Sequence, residues 1–218
     1  MINIDNYDYF IFDCDGVILD SNNLKSIAFA KALFGEPQNL IEDFVNYHKN
    51  HGGVSRYKKF KYYFEKIKND NNAEMKIDKS IYNFSAIVSK ELLVCNYLPG
   101  VLEFINRLFN SNKRLFVVSG SDQKELIKVF NHRGIDHYFE KIYGSPTNKI
   151  ENTKKVITMF NISDKGIFFG DSKSDYDASK KFGLDFVFVK DQSEWKDGYK
   201  RNLSEDNLVI NNFINIRL

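Results

Sequence analysis

The chain has 218 residues, 43% hydrophobic and 28% charged, an ordinary balance for a globular protein with one core or a core plus a small accessory domain. A net charge of +2 gives no electrostatic case for a nucleic-acid or membrane partner. With 20 Phe and 12 Tyr against 3 Pro, aromatic rings are expected to carry much of the packing.

In chain order, Tyr7 to Asp13 (YDYFIFD) reads as a buried strand. From about Asp20 to Tyr97 the chain reads as mostly helical and rich in aromatics, an insertion after that strand. Pro99 then suits a helix start, and Val101, Phe104, Ile105, Leu108 and Phe109 recur at helical spacing. Leu115 to Ser119 is a second strand. Asp122 with Glu125 resembles a helix cap and its reciprocal partner. Lys141 to Gly144 is a short strand, Lys149 to Phe160 a helix, Gly166 to Asp171 a strand, Ser174 to Phe182 a helix, and Asp185 to Val189 a strand. Leu208 to Leu218 is apolar and ambiguous. This alternation predicts an α/β fold with a parallel sheet. The expected division is a core of residues 1–19 and 98–218 and a helical domain of residues 20–97.

No stretch approaches the roughly 18 apolar residues of a membrane span. MINIDNYDYF lacks a basic region followed by an apolar one, so no signal peptide is expected. Cys14 and Cys95 show no metal or redox spacing and suit a reducing, cytoplasmic setting. Cys14 is out of phase with its neighbouring aspartates and is expected to point into the sheet.

The strands that matter end in polar residues, and ligands of parallel α/β sheets bind beyond the carboxyl ends of strands. Asp13 and Asp15 follow the first strand, Ser119 ends the second, and Asp171 ends another with Asp175 four residues on. Carboxylates brought together this way repel unless a cation neutralises them. An all-oxygen set suits Mg²⁺, and no His or Cys group has zinc spacing. His48, His51, His132 and His137 form no evident metal or catalytic set.

DCDGV at Asp13 to Val17, SGS at Ser119 to Ser121, a lysine at 149 and GDSKSD at Gly170 to Asp175 resemble, in order, the four motifs of the haloacid dehalogenase superfamily. The resemblance implies a Rossmann-like parallel sheet. An insert directly after the first motif is similar to the subgroup with a type C1 helical cap, which includes phosphoglycolate phosphatase and β-phosphoglucomutase. It further implies that Asp13 is a nucleophile that becomes phosphorylated, and that Asp15 protonates the leaving oxygen and later activates water. Ser119, Gly120 and Ser121 would hold phosphoryl oxygens, and Lys149 would neutralise Asp13 and the phosphoryl group. Asp13, the Asp15 carbonyl, Asp171 and Asp175 would hold Mg²⁺. The third motif departs from the usual Lys-Pro-x-Pro, so Lys154 and Lys155 stand as alternatives to Lys149.

Within the insert, HGGVSRYKKFKYYF carries two glycines for a tight turn or hinge. Gly53, Ser55 and Arg56 lie in GVSR, which resembles the cap segment that contacts substrate in β-phosphoglucomutase-like proteins. Arg56 could grip a phosphate or carboxylate; the alternative is a helix start capped by Ser55 with a solvated basic face at Lys58, Lys59 and Lys61. The expected partner is a small phosphate ester, a sugar, polyol or amino-alcohol phosphate, with a surface-polysaccharide pathway a plausible setting and no preference between monomer and dimer. The rivals are a phosphomutase and a catalytically silent binding module. Lys25 stands where the mutase group often has histidine, a departure that favours hydrolysis. A dehalogenase is disfavoured, because Asp15 suits phosphate chemistry.

Overall fold

The YFIF stretch is apolar at every position, the pattern of a strand covered on both faces. It forms β1 (Tyr9–Phe12) at the centre of a sheet in a computed structural model that describes residues 3–216 apart from 71, 162, 163, 206 and 215. Alternate side chains go to opposite faces. Phe10 and Phe12 join one hydrophobic cluster, and Tyr9 and Ile11 join another with Phe116, Val118 and Phe168.

Around β1 lie β2 (Arg114–Asp122), β3 (Lys141–Ser145), β4 (Gly166–Gly170), β5 (Asp185–Val189) and β6 (Leu208–Ile210). The order is β3-β2-β1-β4-β5-β6, with every pairing parallel. Of the ambiguous apolar tail, Leu208–Ile210 forms edge strand β6, and residues 215, 217 and 218 lie outside the described set. The strand expected to stop at Ser119 runs on to Asp122, with a register shift against β3 after Val118. Cys14 is fully buried in the core, and burial above all pushes its thiol well up from its ordinary range.

The crossovers supply the helices. Between β1 and β2 come α1 (Asn22–Ala32), α2 (Gln38–Asn50), α3 (Arg56–Tyr62), α4 (Glu74–Glu91) and α5 (Val101–Asn110). Later come α6 (Gln123–His132), α7 (Lys149–Ile157), α8 (Lys173–Lys181) and α9 (Gly198–Ser204). Pro99 is two residues short of α5, which opens at Gly100 with φ of 78°. A Cβ there would lie 2.6 Å from the Phe213 backbone, so glycine is required both by the dihedral and by space.

Helices α1 to α4 pack aromatic rings on one another within the larger core cluster. The Phe29 ring stands 4.1 Å from that of Phe84, 5.3 Å from Phe60 and 5.5 Å from Phe44. Entry to and exit from this insert run side by side, with Asp20 donating to the Asn96 carbonyl at 2.9 Å and Leu98 to that of Ile18 at 3.0 Å. Among the described residues, no helix is long and apolar enough to cross a membrane.

Candidate active site

Three parallel strands deliver their polar ends to one place. Asp13 leaves β1 only 3% exposed. Its Oδ1 accepts from the Cys14 N–H at 2.7 Å and its Oδ2 from Lys149 Nζ at 2.7 Å. Lys149 opens α7 and its Nζ also donates to Asp175 Oδ1. Of the three lysines considered for this position, Lys149 therefore reaches Asp13, while Lys154 and Lys155 are exposed and Lys155 turns to Asn152.

Asp175 serves two purposes. Its Oδ2 accepts from the Ser172 N–H at 3.1 Å and the Ser172 hydroxyl at 2.5 Å, completing the capping box of α8. Its other oxygen faces Lys149. The capping geometry thus fixes a fully buried carboxylate toward Lys149, the counter-ion of Asp13. Asp171, just past β4, accepts from Asn22 Nδ2 at 2.6 Å.

Among the described residues, Asp13, Asp171 and Asp175 each place a carboxylate oxygen within 4.8 Å of the others. Burial first, then the neighbouring carboxylates, push Asp13 up to about 7 against the pull of Lys149. The same causes put Asp171 well above its usual range. Three buried acids gathered this closely, with oxygen donors alone, fit a small divalent cation such as Mg²⁺.

The Asp15 side chain belongs to a different group. It accepts from Ser21 Oγ at 2.6 Å, Lys25 Nζ at 2.5 Å and Ser121 Oγ at 2.7 Å. Burial would raise it, but the Lys25 charge and these hydrogen bonds outweigh burial and hold it at about 2. Lys25 also donates to Ser121 Oγ. The position noted in the sequence only as lacking histidine thus carries an ammonium bonded to Asp15. Ser119 is fully buried in β2, and its Oγ accepts from the Ser121 N–H at 3.2 Å.

The glycine turn of the insert closes directly onto these loops. A Cβ at Gly52 would meet Ser172 Cβ at 2.8 Å. One at Gly53 would meet Lys149 Nζ at 3.0 Å, and Gly53 has φ of 74°. A Cβ at Gly120 would collide with the Gly53 carbonyl. Two glycine backbones, one from each part of the chain, touch where any side chain would hold them apart.

Arg56 borders the same cavity, but its guanidinium is engaged. It pairs with both oxygens of Glu125, donates to Ser85 Oγ at 2.8 Å, and lies 4.6 Å from the Phe84 ring centroid. The fork expected to face a substrate is closed by Glu125. This also changes the expected reciprocal cap of α6. Asp122 accepts from the Lys124 and Glu125 N–H groups at 3.0 Å, but the Glu125 carboxylate goes to Arg56 instead of back to the cap. Ser55 precedes α3 without a side-chain capping bond, and lines a second cleft of about 480 Å³ on the far side of the Gly53 turn.

A cavity of about 60 Å³ is lined by Asp13, Asp15, Lys25, Gly53, Arg56, Gly120, Ser121 and Asp171 from the expected site or its contacts. It also touches His48, Lys59 and Glu194, which sequence reasoning had not joined to the site.

The chain matches the haloacid dehalogenase-like hydrolases over residues 10–189, and it belongs to that family. Among curated relatives, a phosphorylated carbohydrates phosphatase of Thermotoga maritima is 25% identical over 189 residues, 82% of each chain. Among solved structures, a predicted phosphoglycolate phosphatase from Haemophilus somnus 129pt superposes with a TM-score of 0.76 at 18% identity, covering 97% of this chain and 96% of the other. A β-phosphoglucomutase from Clostridium difficile gives 0.65 at 19% identity, covering 97% and 94%. At these identities the structural likenesses show the fold.

Proposed function

We propose that this chain is a Mg²⁺-dependent phosphatase of small phosphorylated metabolites, working through an aspartyl phosphate on Asp13. The observation that carries the reading is Asp13 itself, at a strand end, bonded to Lys149 and within reach of Asp171 and Asp175. Asp13, Asp171, Asp175 and the Asp15 carbonyl would hold the metal. Bound there, Mg²⁺ supplies the positive charge that keeps the acids ionised and offsets charge on the phosphoryl oxygens.

Each residue then has a task. An Asp13 oxygen forms a bond to phosphorus as the bond to the leaving oxygen breaks. Lys149 keeps Asp13 available as a carboxylate. Asp15, ionised in the resting site beside Lys25 at 2.5 Å, would take up a proton from the arriving phosphate monoanion and hand it to the leaving oxygen, which leaves its carboxylate free again. Asp15, returned to its ionised form, takes a proton from the water that attacks the aspartyl phosphate. Ser119, Gly120 and Ser121 cradle the phosphoryl oxygens. Residues 20–97 act as a lid whose Gly53 turn seals the site from bulk water.

The substrate class is a sugar, polyol or amino-alcohol phosphate, with surface or capsular polysaccharide synthesis as the setting and the cytoplasm as the compartment. Hydrolysis is preferred to phosphoryl transfer between substrates because Lys25, in place of histidine, is bound to Asp15. Phosphate release from p-nitrophenyl phosphate and from a panel of phosphorylated metabolites, in Mg²⁺ and in EDTA, tests the reading. Release that requires Mg²⁺ is expected; equal release in EDTA, or none in either, would refute it.

A further inference from the structure

The cavity beside Asp13 extends under the helical insert, where His48 of α2 and Lys59 of α3 meet Glu194 from the loop after β5. The His48 side chain is only 9% exposed. Its Nδ1 lies 2.6 Å from Lys59 Nζ, and that nitrogen is also 3.4 Å from the His48 carbonyl oxygen. Taking Lys59 Nζ as the donor to both His48 atoms assigns Nδ1 as the acceptor and places the ring proton on Nε2. Burial, then the Lys59 charge, hold His48 well below its ordinary range, which keeps the ring neutral with this single N–H.

That Nε2 is buried and has no hydrogen-bond partner among the described residues. Glu194 Oε2 faces it at 3.8 Å, too far for a direct hydrogen bond. The other Glu194 oxygen accepts from Ser26 Oγ at 2.9 Å, which orients the carboxylate. A donor and an acceptor thus lie side by side, close enough for one oxygen atom placed beside them to contact both. The bridging group must accept from His48 and donate to Glu194. A hydroxyl does both. An ionised carboxylate or phosphate oxygen has no proton to give Glu194, and an ammonium cannot accept from His48.

We infer that His48 and Glu194 form a hydroxyl-recognition pair that selects a polyhydroxylated leaving group, a sugar or polyol, over other phosphate esters. The inference rests on the phosphatase reading of the adjacent site. Lys59 serves it by fixing the His48 tautomer, and the Phe29 ring, 4.4 Å from the imidazole, holds it in place.

The test compares p-nitrophenyl phosphate, whose leaving group offers no further hydroxyl, with a panel of hexose and alditol phosphates in Mg²⁺. Glu194→Ala and His48→Leu are expected to lower kcat/KM for the best panel ester by about 10- to 100-fold, the loss of a hydrogen bond to a charged or buried partner. Hydrolysis of p-nitrophenyl phosphate should be little changed. His48→Gln, whose amide N–H occupies the place of Nε2–H, should recover most of the loss. Thermal melting of each variant checks that the fold is intact, and Glu194, the more exposed partner, gives the decisive comparison if His48→Leu melts early. Parallel losses on both substrates, or no loss on either, would overturn the pair. So would a wild type that hydrolyses p-nitrophenyl phosphate but no hydroxylated ester. A wild type that releases phosphate from nothing would instead overturn the phosphatase reading, and the pair with it.

Discussion

Replacing Lys149 with methionine keeps much of the side-chain length but removes the ammonium that Asp13 and Asp175 share. The two acids are 4% and 0% exposed at the side chain, and Lys149 is 3% exposed. Removing one partner of a buried ion pair costs about 3–5 kcal/mol, because the remaining charge is stranded. Here one cation serves two carboxylates, which places the expected loss toward the upper end. Protonation limits the cost. Asp13 already sits at about 7 with the lysine present and moves higher without it. At neutral pH it would take up a proton, whereas at pH 9 it has less escape. Urea unfolding of Lys149→Met in EDTA should therefore show a loss of about 3 kcal/mol at pH 7 and a larger one at pH 9. In Mg²⁺, kcat should fall by about 10³-fold, since a charge that stabilises the phosphoryl group is gone. A stability change under about 1 kcal/mol at both pH values, the range of exposed pairs, or kcat within about tenfold of wild type, would refute this account of Lys149.

Asp13→Asn should abolish turnover while the protein still unfolds cooperatively; substantial residual activity would remove Asp13 as the nucleophile. In metal-free protein, Asp13 binds a proton more tightly when folded than when unfolded, so its contribution to stability declines as pH rises from about 4 to about 7. Urea midpoints across that window should fall less steeply for Asp13→Asn than for wild type, and identical slopes would contradict the raised value. Arg56→Ala should cost about 3–5 kcal/mol by stranding buried Glu125, and a change confined to KM with unaltered unfolding would show that Arg56 reads substrate instead. Gly53→Ala drives a Cβ into Ser174 Oγ at positive φ, with an expected cost of at least about 1–2 kcal/mol from the backbone alone and a drop in kcat/KM; unchanged kinetics would mean that the turn need not seat against the loops that carry Lys149 and Ser174.

Much of the polar end of the sheet was legible because it is local. An apolar run followed by Asp, or by Gly-Asp-Ser, fixes both the strand and the residue at its carboxyl end, and parallel pairing then gathers Asp13, Ser119 and Asp171. Lys149 was legible only by its place in the order of motifs; its burial selects it from its neighbours. The insert side was harder to read. Lys59 lies in a basic stretch with Lys58 and Lys61, both exposed, yet it is 2% exposed. Arg56, Lys59, Phe60 and Tyr63 fall on one helical face, all buried, so the phase was present but the charges disguised it. Glu125 fitted a capping box by spacing, and a guanidinium from a distant helix redirected it. His48 and Glu194 are far apart in sequence, and no local pattern joins them.

The central claim is that a phosphoryl group passes through Asp13. Borohydride reduces an acyl phosphate to an alcohol, so rapid quenching of a turning-over sample in borohydride, followed by peptide mass spectrometry, reads the modified position directly. The account predicts homoserine at position 13, only when substrate and Mg²⁺ are both present. An unmodified Asp13 under conditions of demonstrated turnover, or label at another carboxylate, would contradict it.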